Sequence, residues 1–184
     1  MSDPMKLRIG ITGKPRIGKS TIIKAVIKRL KADGIALGGM LTSDIWERGV
    51  RVGFSLEDIN TGEKGILAHV HLRQRGSKVK VGKYTVNLID LDSIGANAIK
   101  NALTQPDPII IVVDEIGPME LKSTRFIDAV EEAIKSKKSM LVSVHLKSKH
   151  ELVERVKKEF VMFEVTQENR DKMVDSIIQQ LYLL

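Results

Sequence analysis

The sequence predicts an α/β fold of three layers, in which helices cover both faces of a mainly parallel sheet that carries an antiparallel extension. Strand-like and helix-like segments alternate along most of the 184 residues, and one strand, residues 109–113, is apolar throughout. Such a strand is buried on both faces, as in a parallel sheet between helices. Between about residues 45 and 90, alternating segments follow one another through short turns, which predicts antiparallel pairing.

The first strand is predicted at residues 7–12, where apolar and polar residues alternate. A helix follows, because the next apolar side chains recur at the helical spacing of 3.6 residues: Ile22, Ile23, Val26, Ile27 and Leu30. Gly34 ends this helix, since glycine adopts the left-handed conformation found after helix C-termini. Residues 36–42 predict the second strand.

The inserted segment, about residues 45–90, predicts strands at 50–59, 66–72 and 79–89, joined by turns at 60–63 and 75–77. Tight turns between successive strands favour antiparallel pairing. The chain shows no repeat, low-complexity tract or linker rich in proline and glycine. We therefore expect one domain over residues 1–184, with the insert as part of it.

Strands and helices alternate again after the insert. Asp92 or Ser93 is expected to cap a helix that ends near Leu103. The remaining predicted elements are strand 109–113, helix 120–135, strand 140–144, helix 148–158, strand 160–165 and helix 168–182.

Composition narrows the class of protein. The chain has no cysteine, which excludes disulfide scaffolds and thiol catalysis and favours a reducing cytoplasm. The N-terminus lacks the apolar core of a signal peptide, and the longest apolar run is too short for a membrane span. The formal net charge of +7 favours polyanionic partners, among which nucleotides qualify as well as nucleic acid. We expect a cytoplasmic monomer or weak oligomer without membrane contact.

The strongest motif, G-x-x-x-x-G-K-[ST], lies between the first predicted strand and the first predicted helix. It predicts a phosphate-binding P-loop, because glycines let the backbone wrap around phosphate oxygens and the helix N-terminus attracts anions. The alternative is a glycine turn that only caps the helix. The predicted nucleotide-binding residues here are Gly13, Lys14, Pro15, Arg16, Ile17, Gly18, Lys19, Ser20 and Thr21.

Two further roles follow from this motif. Lys19 is expected to neutralise the β- and γ-phosphates, and Ser20 to bind Mg²⁺. Asp114 ends the apolar strand 109–113, where a carboxylate can complete the magnesium site. The sequence therefore predicts a three-layer P-loop NTPase fold that binds Mg²⁺ and a nucleoside triphosphate.

Glu115, beside Asp114, bears on the reaction type. A carboxylate there can polarise water for attack on the γ-phosphorus, which favours hydrolysis and makes Glu115 and Lys19 the candidate catalytic residues. A kinase would exclude water and present an acceptor hydroxyl instead. Glu115 can also be an ordinary carboxylate at a strand end.

Three segments beyond the P-loop consensus resemble a particular family. They are residues 114–121 (Asp-Glu-Ile-Gly-Pro-Met-Glu-Leu), 165–171 and 48–54, and Thr12 also precedes the loop as in that family. Together with the loop they resemble the thermophilic-type nucleoside-triphosphatases over residues 6–184. The resemblance implies slow Mg²⁺-dependent hydrolysis of ATP, GTP and other nucleoside triphosphates, and a fold related to RecA-like ATPases and small P-loop kinases. Arg16 departs from the pattern, since the family usually has glycine there.

Several other residues have two interpretations. Asn169 and Arg170 follow the last predicted strand and can contact the nucleotide, or this segment can simply start a helix. An arginine supplied in cis to the γ-phosphate can be Arg48, Arg51 or Arg170, although ordinary surface charge is the simpler interpretation. Trp46 can stack on a base, but hydrophobic packing is the default expectation.

The hypothesis from the sequence is a nucleoside-triphosphatase of broad base tolerance. One alternative is a small-molecule or nucleoside kinase that uses the same loop. Another is a nucleic-acid-binding module with an RNA-stimulated ATPase, for which the basic segment 71–80 is the candidate surface. Nucleic acid is not favoured, because seven aromatic residues offer few stacking platforms.

Overall fold

The computed structural model describes residues 7–73, 79–107, 109–136 and 138–182. The strands in these ranges are β1 (Arg8–Gly13), β2 (Ala36–Glu47), β3 (Val50–Asp58), β4 (Lys64–His69), β5 (Lys80–Val81), β6 (Tyr84–Val86), β7 (Ile109–Ile116), β8 (Ser139–Val144) and β9 (Val161–Val165). The helices are α1 (Lys19–Ala32), α2 (Leu88–Asp90), α3 (Asn97–Thr104), α4 (Thr124–Lys135), α5 (Glu151–Glu159) and α6 (Arg170–Tyr182). A π-helical segment, Leu91–Ala96, joins α2 to α3, and a 3₁₀ turn, Glu120–Lys122, precedes α4.

These strands form one sheet in the order β5-β6-β4-β3-β2-β7-β8-β1-β9. The five strands from β2 to β9 in this order are mutually parallel, and the strands from β3 to β5 add antiparallel neighbours on the other side of β2. The predicted mainly parallel sheet with an antiparallel extension is confirmed. The carboxyl ends of β1, β7 and β8 meet at one edge, where loops of an open α/β sheet line a ligand crevice.

Apolar side chains pack on both faces of the parallel strands. On one face, α1 and α6 pack against Ile9, Ile11 and Val112. On the other, α3, α4 and α5 pack against residues that include Ile111 and Val113. Because neighbours in a strand point to opposite faces, the uninterrupted apolar run of β7 serves both layers, and the predicted three-layer arrangement is confirmed.

The predicted second strand, residues 36–42, is longer in the structure. β2 pairs in parallel with β7 up to Met40↔Val113, whereas from Met40 to Glu47 it pairs antiparallel with β3. The β2–β3 hairpin therefore runs past the edge of the parallel strands. The sequence did not show this, because one extended strand can serve two neighbours without any change in its own pattern.

The predicted strand 79–89 and the helix cap after it were placed wrongly. Two short strands, β5 and β6, flank a turn at Gly82, and the helical segment already begins at Leu88. Asn87 is its cap, since its side chain accepts a hydrogen bond from the Asp90 backbone N–H, in place of the expected Asp92 or Ser93. Leu91 and Ile94 pack in the core, and this packing stabilises a helix here in spite of the strand propensity of the segment.

No helix in the described ranges is long and apolar enough to cross a membrane. Part of the basic segment 71–80, residues 74–78, lies outside the described residues.

Candidate active site

The P-loop connects β1 to α1 as the motif predicts, and its backbone requires unusual dihedral angles. Gly13 has φ 155°, and a Cβ atom there would lie 2.8 Å from the Val165 carbonyl oxygen. Gly18, at the start of α1, has φ 113°. Glycine tolerates both values, whereas a side chain would strain them. The two glycines of the motif are therefore explained by backbone geometry.

Arg16, the departure from the family pattern, has φ 64°, a left-handed conformation. Glycine takes this backbone conformation without a steric cost, whereas a residue with a Cβ atom is destabilised by roughly 1–2 kcal/mol. The side chain is exposed. The side chain consequently adds an exposed cation to the loop.

The Lys19 side chain folds back over the loop. Its Nζ donates hydrogen bonds to the carbonyl oxygens of Gly13, at 3.1 Å, and Lys14, at 3.4 Å. The residue is only 9% exposed, which is rare for a lysine and holds its charge at the centre of the loop. Since ammonium has three donors, Lys19 has a donor left for an anionic ligand.

Asp114 lies in β7 just beyond the apolar run, is fully buried and accepts a 2.5 Å hydrogen bond from Ser143 Oγ on the adjacent strand β8. Its other oxygen, Oδ2, has no hydrogen-bond partner among the described residues. Burial raises the pKa of the Asp114 carboxyl, while the hydroxyl groups of Ser143 and Ser20 and the charges of Lys24 and Lys19 oppose this shift. A buried carboxylate oxygen without a hydrogen-bond partner is costly, and a bound cation or a proton would offset that cost.

The oxygen atoms of Asp114 and Ser20 fit a hard divalent cation. Among the described residues, no cluster of three or more His, Cys, Asp or Glu side chains could hold a metal by itself. Mg²⁺ sites typically use one or two protein oxygens and fill the other positions with substrate phosphates and water. The arrangement therefore fits a cation that binds together with a polyphosphate.

Glu115 is partly buried and lies close enough to Lys19 for the two charges to interact. Burial raises the pKa of its carboxyl, the charge of Lys19 lowers it, and Asp114 raises it further. Its Oε1 would be 3.2 Å from a Cβ atom at Gly117, so its side chain turns towards the segment after β7. A partly desolvated carboxylate here is more basic than a solvated one, which suits a proton acceptor.

His145 follows β8, the strand that separates β1 from β7. Its Nδ1 is buried and has no hydrogen-bond partner among the described residues. Burial lowers the pKa of this histidine, and the charges of Lys19, Lys157 and Lys147 lower it further. The imidazole therefore favours the neutral form, and its ring lines the same cleft as the loop.

These groups surround one cleft of about 1010 Å³. Residues 13–21 except Ile17 line it, together with Glu115, Glu120 and His145, while Asp114 is fully buried and is not part of the described lining. The outer wall comes from the β2–β3 hairpin and includes Asp44, Trp46, Arg51 and Phe54. The cleft is thus continuous from the phosphate loop to the antiparallel extension.

Comparison with known proteins agrees with this geometry. A family model described as NTPase matches residues 8–178. The nucleoside-triphosphatase THEP1 of Methanosarcina acetivorans is 45% identical over 172 residues, which cover 93% of this chain and 94% of that protein.

This chain belongs to the THEP1 nucleoside-triphosphatase family. Two solved structures share its fold. THEP1 from Aquifex aeolicus superposes with a TM-score of 0.81 at 28% identity, covering 96% of this chain and 99% of that one. A human cancer-related nucleoside triphosphatase superposes with a TM-score of 0.80 at 29% identity, covering 96% and 97%. The family resemblance expected from the sequence is confirmed. The members of this family are hydrolases, and membership implies the use of a divalent metal.

Within the THEP1 fold, Asn169 and Arg170 lie outside the described lining of the cleft. Asn169 Oδ1 accepts a hydrogen bond from the Thr166 N–H at 2.8 Å, and its Nδ2 donates to the Glu164 carbonyl oxygen at 2.8 Å. Asn169 therefore fixes the turn between β9 and α6, which supports the helix-start interpretation. Nucleotide contact by these two residues stays a prediction.

The three candidate arginines lie in different places. Arg48 is exposed at the turn of the β2–β3 hairpin and has φ 48°. Arg170 pairs with its neighbour, its Nε lying 3.7 Å from Asp171 Oδ1. Arg51 lines the cleft. The default expectation of hydrophobic packing for Trp46 is wrong, because Trp46 is 55% exposed and lines the outer cleft. The cause is the projecting hairpin, which leaves its tip without a layer of helices.

Glu120 is a residue of the THEP1 site to which the sequence assigned no role, although it lies in the motif 114–121. It is only 5% exposed and lines the cleft with Glu115. Burial, followed by the charges of Glu115 and Asp114, raises the pKa of Glu120 to about 8. Hydrogen bonds that its carboxyl accepts from the backbone N–H groups of Glu120 and Gly117 lower this pKa, but by less. Glu120 is therefore protonated at neutral pH. The local sequence could not show this, because the shift depends on burial by the 3₁₀ turn.

The raised pKa of Glu120 predicts a pH-dependent stability. The folded state binds a proton that the unfolded state releases above the ordinary pKa of 4.5, so stability is full below this value and falls as the pH rises to about 8. The glutamine in Glu120→Gln cannot ionise, so the free energy of unfolding of the variant does not fall with pH for this reason. The difference in unfolding free energy, variant minus wild type, should therefore be larger at pH 8.5 than at pH 4 by up to about 5 kcal/mol. Urea denaturation at both pH values, without Mg²⁺ or nucleotide, measures this, and an equal difference at both values would contradict the assignment.

Proposed function

We propose that this chain hydrolyses ATP, GTP and other nucleoside triphosphates to the diphosphate and phosphate, with Mg²⁺ and with broad base tolerance. Family membership supports the reaction class. The observation that carries the proposal for this chain is the position of Glu115, a partly desolvated carboxylate, in the same cleft as the P-loop and near the charge of Lys19.

Each residue has a defined task in this mechanism. The loop amides and Lys19 hold the β- and γ-phosphates. Ser20 and Asp114 would hold Mg²⁺, which would neutralise charge on the phosphate oxygens when bound. Glu115 orients a water molecule and accepts its proton as the water oxygen attacks the γ-phosphorus; the bond from this phosphorus to the bridging oxygen breaks, and the diphosphate leaves with the electron pair.

Base tolerance follows from what the loop can recognise. The P-loop contacts phosphates, and no segment of the sequence resembles the Asn-Lys-x-Asp guanine reader of GTPases. We expect ATP and GTP to be hydrolysed with kcat/KM values within about tenfold of each other, or ~1.4 kcal/mol. Phosphate release measured with ATP, GTP, CTP and UTP at fixed Mg²⁺ tests this. A strict preference for one purine would contradict it and indicate a dedicated base pocket.

The same assay separates hydrolysis from the alternative functions. Phosphate release without any acceptor supports the proposal. Nucleoside diphosphate formation only when a hydroxyl-bearing acceptor is added would indicate a kinase, and phosphate release only with RNA would indicate an RNA-stimulated ATPase. We further propose that the chain acts in the cytoplasm as a monomer or weak oligomer, which the absence of cysteine and the highly charged composition support.

A further inference from the structure

Arg51 lines the same cleft as the phosphate loop, on the part of its wall that the β2–β3 hairpin forms. The order of strands from the loop outward is β1, β8, β7, β2 and β3, with Glu115 on β7 and Arg51 on β3. If Glu115 directs water at the terminal phosphate, that phosphate lies between the loop and the β2–β3 hairpin. The outer face of the terminal phosphate, away from Lys19, is thus directed towards the wall that carries Arg51.

Neighbouring side chains hold the Arg51 guanidinium in place. Nε is 3.4 Å from the hydroxyl oxygen of Tyr84, Nη1 is 3.5 Å from Asp44 Oδ2, and the guanidinium carbon lies 4.8 Å from the centroid of the Phe54 ring. The Arg51 side chain is only 21% exposed. An arginine in contact with three different side chains loses little conformational freedom when it binds a ligand.

These contacts leave binding capacity unused. Guanidinium has five N–H donors, and Tyr84 and Asp44 engage one nitrogen each at the long end of hydrogen-bond distances. Asp44 is itself 39% exposed, and a pair that includes a solvated carboxylate stabilises a fold only slightly. The contacts therefore orient Arg51 more than they neutralise it, and a phosphate would be a stronger partner.

We propose that Arg51 binds the terminal phosphate of the nucleotide as it is transferred to water, and so supplies in cis the arginine that stabilises charge on the γ-phosphate oxygens. This inference rests on the proposed hydrolytic function and adds a catalytic residue to it. Asp44 and Tyr84 are positioning residues in this proposal, because they act through their contacts with the guanidinium.

The test compares Arg51→Ala and Arg51→Lys with Arg48→Ala. Arg48 is a matched control, since it lies in the same hairpin and carries the same charge but is exposed and outside the described lining of the cleft. Loss of one charged donor to the transferred phosphate is expected to lower kcat about 100-fold in Arg51→Ala, with KM nearly unchanged. Arg51→Lys should recover only part of the rate because it lacks the planar fork, and Arg48→Ala should match the wild type.

A binding measurement separates catalysis from a purely structural role. Aluminium fluoride mimics the transferred phosphate and should tighten Mg²⁺-ADP binding to the wild type; Arg51→Ala should bind Mg²⁺-ADP normally but lose this gain. Equal kcat in the wild type and Arg51→Ala would overturn the inference, as would an undiminished effect of aluminium fluoride in that variant. Absence of turnover in the wild type would contradict the proposed function itself, so the two failures are distinguishable.

Discussion

Lys19→Ala is expected to abolish tight triphosphate binding and to reduce hydrolysis below about 1% of the wild-type rate, without loss of the fold. The Lys19 ammonium is held over the loop by hydrogen bonds to the carbonyl oxygens of Gly13 and Lys14, 3.1 and 3.4 Å away. Its charge lowers the pKa of both Glu115 and His145. Hydrogen bonds to charged groups are worth about 1.5–3 kcal/mol each, and Lys19 can give more than one to the phosphates. Calorimetric titration with Mg²⁺-ATP and phosphate release measure the two effects.

Two further variants control this experiment. Lys19→Met keeps most of the side-chain volume and should show the same losses, which separates charge from packing. Lys28→Ala removes an exposed lysine on the same helix outside the described lining of the cleft, and it should behave as the wild type. Near-normal turnover in Lys19→Ala with an intact circular dichroism spectrum would remove the P-loop assignment.

Glu115→Gln is expected to slow turnover by about 10²–10⁴-fold while Mg²⁺-ATP binds about as well as in the wild type. A carboxamide keeps the shape of the side chain but cannot accept the proton of water, and general-base assistance typically contributes a factor of this size. Binding should persist because its contacts come from Lys19, Ser20 and the loop amides. Steady-state kinetics together with equilibrium binding give the two quantities.

Asp114→Asn provides the contrasting case. Asp114 is fully buried beside Glu115, with one oxygen bonded to Ser143 and the other without a partner among the described residues, which fits a metal ligand. Its replacement should lower activity through weaker Mg²⁺ binding, so that excess Mg²⁺ restores part of the rate. Excess Mg²⁺ should not restore Glu115→Gln. The same response of both variants to Mg²⁺ would contradict the separate roles.

The phosphate loop and β7 were predictable because their signals are local. The motif from Gly13 to Ser20 requires a strand before it and a helix after it, and an apolar strand that ends in an acidic pair can be found without knowledge of its neighbours. Backbone geometry then explains the glycines, and burial explains the apolar residues. For the same reason the family resemblance could be found from short segments.

The sequence named Arg51 and Trp46 as candidates, but it could not place them in the outer half of the cleft. Their positions there depend on the β2–β3 hairpin projecting past the parallel strands, which follows from the pairing of β2 with both β7 and β3. Register and partner choice depend on long-range contacts that a single segment does not encode. The high pKa of Glu120 likewise depends on burial between elements distant in sequence.

The most direct test of the central claim is the rate of phosphate release from a preformed Mg²⁺-ATP complex in a single turnover. Under these conditions binding is complete beforehand, so the rate reports the attack of water on the γ-phosphorus. We predict that Glu115→Gln forms the complex to the same extent as the wild type and releases phosphate at least ~100-fold more slowly. Equal rates of release from the two complexes would show that water is activated elsewhere and would contradict the account.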